Sequence, residues 1–173
     1  VSKTTKIIFP STHVVYKGLN KVVKNIEENY PPVPELNYSK GKVQTEKDLV
    51  SSEKNYVILR LGSVYGYSGE STRLNIMSNL FSRITAENGT IKLFGGGEQD
   101  KSLVSVFDVA RCMEFVAERD DINFEIFNCV NENLKVKQVA KICNEVNDNV
   151  EIKVTKDKIP NKGYTLSNKK ILK

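Results

Sequence analysis

The run Tyr56-Val57-Ile58-Leu59-Arg60-Leu61 constrains the fold more than any other stretch of the chain. It is nearly continuous in apolar residues, several of them β-branched, which is the pattern of a strand buried on both faces of a parallel sheet. Gly62-Ser63 then turns it. Shorter runs of the same kind occur at Lys6-Ile7-Ile8-Phe9, which ends at the turn Pro10-Ser11-Thr12, and at 91–94, 103–106, 125–128 and 151–154. Helical patterns separate them. A helix is expected from Tyr38 to about Ser52, with Val43, Leu49 and Val50 as its apolar contacts. Leu74, Met77, Leu80, Phe81 and Ile84 define an amphipathic helix that stops before Asn88-Gly89. Asp108 is expected to cap a helix over 109–117, and 136–146 forms another. Strands alternating with helices indicate an α/β chain with mostly parallel pairing. Residues 18–37, which hold Pro31, Pro32 and Pro34, read as loop, and the tail beyond Val154 is lysine-rich and weakly patterned.

At 173 residues and 39% apolar, the chain can bury the core of one domain, or of two small lobes sharing one. No apolar run approaches membrane-spanning length, and the N-terminus lacks the pattern of a secretion signal. Cys112, Cys129 and Cys143 show no C-x-x-C spacing and no even count. A disulfide framework or a metal site is therefore not expected, and a reducing cytoplasm fits best. Cys112 and Cys143 each fall on an apolar helical stripe, where core packing is the expected role. The net charge of +5 leaves nucleic acid or small anions such as nucleotide phosphates as partners, or simply a basic surface. No Arg-rich helix, zinc-finger spacing or RNP-like aromatic pattern supports nucleic acid.

The residues with chemistry centre on Tyr38 and Lys42. Four positions apart, they share one face of the expected helix. An ammonium so placed stabilises a phenolate and brings a tyrosine into acid/base range. A hydroxyl residue at a strand end, such as Thr12 after the 6–9 run, can then share a substrate oxygen with the tyrosine. On spacing alone, an exposed helix pair and a simple turn remain the competing explanations. His13 is the only histidine of the 173 residues and sits beside Thr12. With no carboxylate partner in view, it reads as lining or structure rather than as a catalyst. Gly95-Gly96-Gly97 lacks the strand-to-helix context of a phosphate cradle and is expected to be a hairpin turn.

The sequence holds Ile-Phe-Pro-Ser-Thr-x-x-Val-Tyr at 8–16, Tyr-x-x-x-Lys-x-x-x-Glu at 38–46 and Leu-Arg-Leu-Gly-x-Val-Tyr-Gly at 59–66. Leu-Phe-Gly-Gly-Gly-Glu-Gln-x-Lys follows at 93–101, then Val-x-Val-x-Asp-Val-Ala at 104–110 and Phe-Asn at 127–128. In this order and spacing the chain resembles the extended short-chain dehydrogenase/reductases, specifically the NAD-dependent sugar-nucleotide epimerases and dehydratases. The resemblance implies the C-terminal portion of a Rossmann-type parallel sheet plus a smaller α/β substrate-binding domain. It divides the chain into 1–62, the remainder of an NAD-binding domain, and a partly interleaved nucleotide-sugar domain over 63–173.

It also implies roles. Tyr38 would be the base that takes a sugar hydroxyl proton as its hydride leaves for nicotinamide C4. Lys42 would hold the nicotinamide-ribose hydroxyls and favour the phenolate, and Thr12 would hydrogen-bond the same substrate oxygen. Ser11 and Leu61 would line the cofactor together with Tyr38 and Lys42. Ser63, Lys101 and Asp108 would join Thr12 around the substrate. Glu46 matches a family position; as Lys-then-Glu it is the less favourable orientation of an i,i+4 pair, worth only a few tenths of a kcal/mol, and it reads as structural. The family's dehydratases carry an Asp-Glu pair after the threonine. Here those positions are His13 and Val14, which favours epimerisation or simple oxidation and reduction. Ser63 stands where the family usually has asparagine, Tyr67 where it has proline, and Ser105 where histidine is frequent. Lys101 replaces a diphosphate-holding arginine, keeping the charge without the bidentate fork.

The strand–Gly-x-x-Gly-x-x-Gly–helix unit that binds pyrophosphate in this family is not among the 173 residues. The chain is therefore expected to be the C-terminal part of a larger enzyme and, alone, neither to bind dinucleotide tightly nor to turn over. The implied cofactor is NAD, with NADP open, and the implied assembly at full length is a homodimer. A non-catalytic relative that binds a nucleotide sugar or a protein is the alternative. The joint retention of Thr12, Tyr38 and Lys42 weighs against it.

Overall fold

The structure, a computed structural model, describes residues 5–157 and 163–173. The expected buried strand is β2, Tyr56–Leu61, the centre of a three-stranded sheet. It is flanked in parallel by β1 (Ile7–Thr12) and β6 (Glu125–Cys129). Val57, Ile58 and Leu59 are fully enclosed, each side chain contributing ~1.5–3 kcal/mol relative to exposure. β1 runs through Pro10 to Thr12, where the sequence pattern ended the strand at Phe9. Among the described residues β1 is an edge, and an edge strand tolerates a proline because the missing N–H can face away from the ladder.

A second sheet joins β3 (Ser63–Tyr65), β5 (Asp100–Ser105) and β7 (Glu132–Lys135), with β3 parallel and β7 antiparallel to β5. A third pairs β4 (Thr90–Phe94) with β8 (Glu151–Thr155) in parallel. The helices are α1 (Asn37–Val50), α2 (Met77–Ala86), α3 (Val106–Glu118) and α4 (Val136–Val146). The chain is thus α/β with mainly parallel pairing.

Several local expectations change. The glycines at 95–97 do not form a hairpin, because β4 and β5 belong to different sheets. All three have positive φ (54°, 73° and 67°), and they carry the chain from one sheet to the next. A Cβ at Gly97 would lie 2.9 Å from the Lys137 nitrogen, so the crossing demands glycine there. Asp108 does not cap α3. Ser105 does, its Oγ accepting from the Asp108 N–H at 3.0 Å and donating to Asp108 Oδ2 at 2.9 Å. The tail is built in rather than loose: Tyr164, Thr165, Leu166 and Ser167 are buried. The Ile26 N–H donates to Thr165 O, and the Ser167 N–H to Ile26 O, each at 2.8 Å. Cys129 and Cys143 are buried and Cys112 half-buried in apolar clusters, and all three are free.

Candidate active site

The parallel register sets Thr12 of β1 beside Leu61 of β2, and Ser11 beside Arg60. These are the carboxyl ends of neighbouring strands, where open α/β sheets bind their ligands. Thr12 is extended (φ −150°, ψ 146°) and begins a 3-10 turn over His13–Tyr16, its Oγ1 accepting from the Val14 N–H at 3.2 Å. The threonine proton is not committed to another described residue.

α1 brings up the remaining groups. Tyr38, 57% exposed, lies in its first turn. Lys42 Nζ donates to the Pro10 carbonyl at 2.7 Å and sits 4.6 Å from the Phe9 ring and 5.8 Å from the Tyr38 ring. The helix ammonium is therefore anchored on β1 with protons to spare. Ser11, Thr12, Tyr38, Leu61 and Ser63 line one cleft of about 530 Å³. Its far wall comes from Ser68, Ser71, Arg73 and Asn79, which the sequence did not single out. Asn79 Oδ1 accepts from the Gly66 N–H at 3.0 Å and its Nδ2 donates to Arg73 O at 3.1 Å, tying the 66–73 loop to α2.

Glu46 is structural, through Ser11 and Arg60 rather than through Lys42. It is 4% exposed and accepts from Ser11 Oγ and from the Arg60 guanidinium, with Nη2 at 2.7 Å and Nε at 3.2 Å from the carboxylate oxygens. Arg60 Nη1 donates further to Tyr16 Oη at 2.6 Å and Glu28 O at 2.9 Å. The network fastens α1, which carries Tyr38 and Lys42, to both strands that carry the strand-end residues. Burial pushes the Tyr16 phenol up to about 12, so it stays a neutral partner of the guanidinium. Ser11 lines the cleft, but its hydroxyl is spent on Glu46 rather than offered to a cofactor.

His13 and Ser63 also border a second cavity of about 410 Å³, shared with Lys17, Gln99, Lys101 and Tyr164. Burial and then the neighbouring Lys17 charge lower the Lys101 ammonium's proton affinity. Asp100, whose carboxylate pairs with Lys24, lines the cavity as well, so the two lysines leave it on balance suited to an anion. His13 Nδ1 lies 3.0 Å from Tyr164 Oη and its Nε2 3.2 Å from Ser63 Oγ, so its partners are hydroxyls, one of them 151 positions away. Burial, then the Lys101 charge, hold its imidazole at about 4. Because this value lies below the ordinary 6.5, the unfolded state takes up the proton first. The associated stability is complete above about pH 6.5 and is lost as pH falls through about 4. Urea unfolding across that window is expected to show a steeper loss in the wild-type than in His13→Gln. Equal slopes would remove His13 as the cause.

Asp108 is brought to neither cavity. It closes the first turn of α3 and lines a hollow behind that helix with Cys112, Phe115 and Cys129. Tyr67 is 80% exposed and lines neither cavity. Among the described residues no group of three or more His, Cys, Asp or Glu gathers to hold a metal, and no helix is long and apolar enough to cross a membrane.

A strand-end cleft with a Tyr-x-x-x-Lys helix along one wall defines an α/β protein of the short-chain dehydrogenase/reductase kind. The chain belongs to the NAD dependent epimerase/dehydratase family, whose family model matches residues 2–129. No curated protein sequence matches it. Among solved structures it is similar to UDP-glucose 4-epimerase from Thermotoga maritima, with UDP-glucose, at 25% identity and a TM-score of 0.82, covering 95% of this chain and 55% of that one. It is similar also to UDP-N-acetylglucosamine 4-epimerase from Methanobrevibacter ruminantium, in complex with UDP-N-acetylmuramic acid. There the identity is 21% and the TM-score 0.80, over 96% of this chain and 55% of that one. For dTDP-glucose 4,6-dehydratase from Bacillus anthracis, in complex with NAD, the identity is 18% and the TM-score 0.74, over 96% and 54%. The last two likenesses are of fold. The chain spans about half the length of the structures it matches.

Proposed function

We propose that the whole protein is an NAD-dependent epimerase or reductase of nucleotide sugars. The observation that carries this is that Thr12 and Tyr38 line one cleft, that Lys42 of the same helix is held on β1 by the Pro10 carbonyl, and that the cleft adjoins the cavity of Lys17 and Lys101. The residues present suit the dinucleotide: Tyr38 and the uncommitted protons of Lys42 would hold its ribose hydroxyls, beside the exposed part of Leu61. When bound, NAD supplies an acceptor and donor of hydride.

The chain's own residues manage the proton. Tyr38 takes it from the sugar hydroxyl that is being oxidised and returns it on reduction. Lys42, fixed by the Pro10 carbonyl, stabilises the phenolate so formed. Thr12 donates to the same substrate oxygen from its capped position and fixes the reacting carbon's orientation. The anionic diphosphate is drawn to Lys17 and Lys101. His13 and Val14 supply no carboxylate beside Thr12, which favours epimerisation or reduction over dehydration that needs one there.

On this proposal, 1–62 together with β6 serve the cofactor, and the rest of 63–173 serves the nucleotide sugar. Two copies pair through helices flanking Tyr38, and the protein works in the cytoplasm. The test is a screen of the full-length protein with NAD against UDP-, GDP-, CDP- and dTDP-sugars, with products separated by chromatography. Turnover of at least one is expected. Binding without turnover of any would favour the non-catalytic alternative.

A further inference from the structure

We infer that Ser63, at the wall shared by the two cavities, selects a substrate that presents a hydroxyl proton to it, because His13 takes the serine's own proton. The inference rests on the proposal that a nucleotide sugar occupies the cleft.

The proton positions follow from three contacts. Tyr164 Oη lies 2.8 Å from the His13 carbonyl oxygen and 3.0 Å from His13 Nδ1. Two oxygens at 2.8 Å with no proton between them repel, so the single phenolic proton points at the carbonyl. Nδ1 must then donate to Oη. The imidazole is neutral at physiological pH, so it carries only that one N–H and its Nε2 is a bare acceptor. Ser63 Oγ, 3.2 Å from Nε2, is the group that donates to it.

The consequence lies at the substrate. With its proton spent, the Ser63 oxygen presents lone pairs alone to the cavities it lines. An asparagine at this place would offer both a donor and an acceptor, and a serine with a free proton would tolerate a carbonyl or a fluorine. The fixed serine rewards a sugar hydroxyl and penalises any group that cannot donate. Lys17 and Lys101 hold the anionic end in one cavity and Tyr38 stands in the other. The ring between them passes Ser63.

The experiment uses full-length protein with NAD and a nucleotide sugar it binds, in parent form and with each ring hydroxyl replaced in turn by fluorine. Dissociation constants from calorimetry and kcat/KM are measured for wild-type and Ser63→Ala. At one ring position fluorine is expected to weaken wild-type about ten-fold, and Ser63→Ala to erase that discrimination. Taking the ratio between the two proteins cancels the analogue's intrinsic reactivity. An unchanged ratio at every position overturns the role of Ser63 and leaves the proposed function standing. Failure of wild-type to bind any nucleotide sugar overturns both. Ring-nitrogen NMR checks the cause without turnover. The His13 signals, identified by their loss in His13→Gln, should show Nδ1 protonated and Nε2 bare at neutral pH. A protonated Nε2 overturns the inference.

Discussion

Replacing Tyr38 by phenylalanine in the full-length protein is expected to lower kcat by about 10²–10⁴-fold, the usual share of a positioned acid/base group. The ring remains and only the hydroxyl goes, so nucleotide-sugar binding should change little. Stability should hold too, because Tyr38 is 57% exposed and its hydroxyl bonds no other described residue. A loss in kcat with KM and Tm held is the signature of a group used in the transition state. A loss smaller than about ten-fold, set against the lower end of that range, would refute the assignment.

The second large effect is on stability. Glu46→Ala is expected to destabilise the fold by about 3–5 kcal/mol, because it leaves the Arg60 guanidinium buried without its counter-charge and Ser11 without its acceptor. Urea unfolding measures it. Glu87→Ala, which breaks the exposed Arg83–Glu87 pair, is the control and should leave the midpoint unmoved. A Glu46→Leu/Arg60→Met double variant should lose less than the two single changes summed, since removing both charges removes the uncompensated one. Additive losses would mean that the two residues act separately. On the proposed function the same network would position the site, since it locks α1 to β1 and β2 within a turn of Lys42.

Part of this was legible in the sequence. β2 was plain because five consecutive positions, Tyr56 to Arg60, all pack inside, and α4 because its apolar stripe repeats at helical spacing. β3 and β7 were not, since they are short and hold their shape by pairing with β5 rather than by any apolar pattern of their own. The buried tail was obscured by its lysines, although Tyr164 and Leu166 alternate as a buried strand would.

The network illustrates what spacing hides. Each i,i+4 step advances ~40° around a helix. Tyr38 lines the cleft, Lys42 reaches the Pro10 carbonyl of β1, and by Glu46 the helix has turned inward to the face of Ser39 and Val43. A carboxylate on that stripe and an arginine inside the β2 run each put a charge in an apolar place, and neither was read that way from the sequence. Only the tertiary register, with Ser11 opposite Arg60, makes them partners. The His13–Tyr164 contact had no local signal at all, because its members lie at opposite ends of the chain.

The most direct test of hydride passage through the Thr12–Tyr38–Lys42 cleft is optical. Full-length protein loaded with NAD is mixed with the nucleotide sugar from the screen, and the absorbance of reduced nicotinamide is followed during a single turnover. Wild-type should show it rise, with a fall as well if the sugar is epimerised, and Tyr38→Phe should show neither on the same timescale. Product formed by Tyr38→Phe at the wild-type rate, or by wild-type with no reduced nicotinamide at any time, would contradict the account.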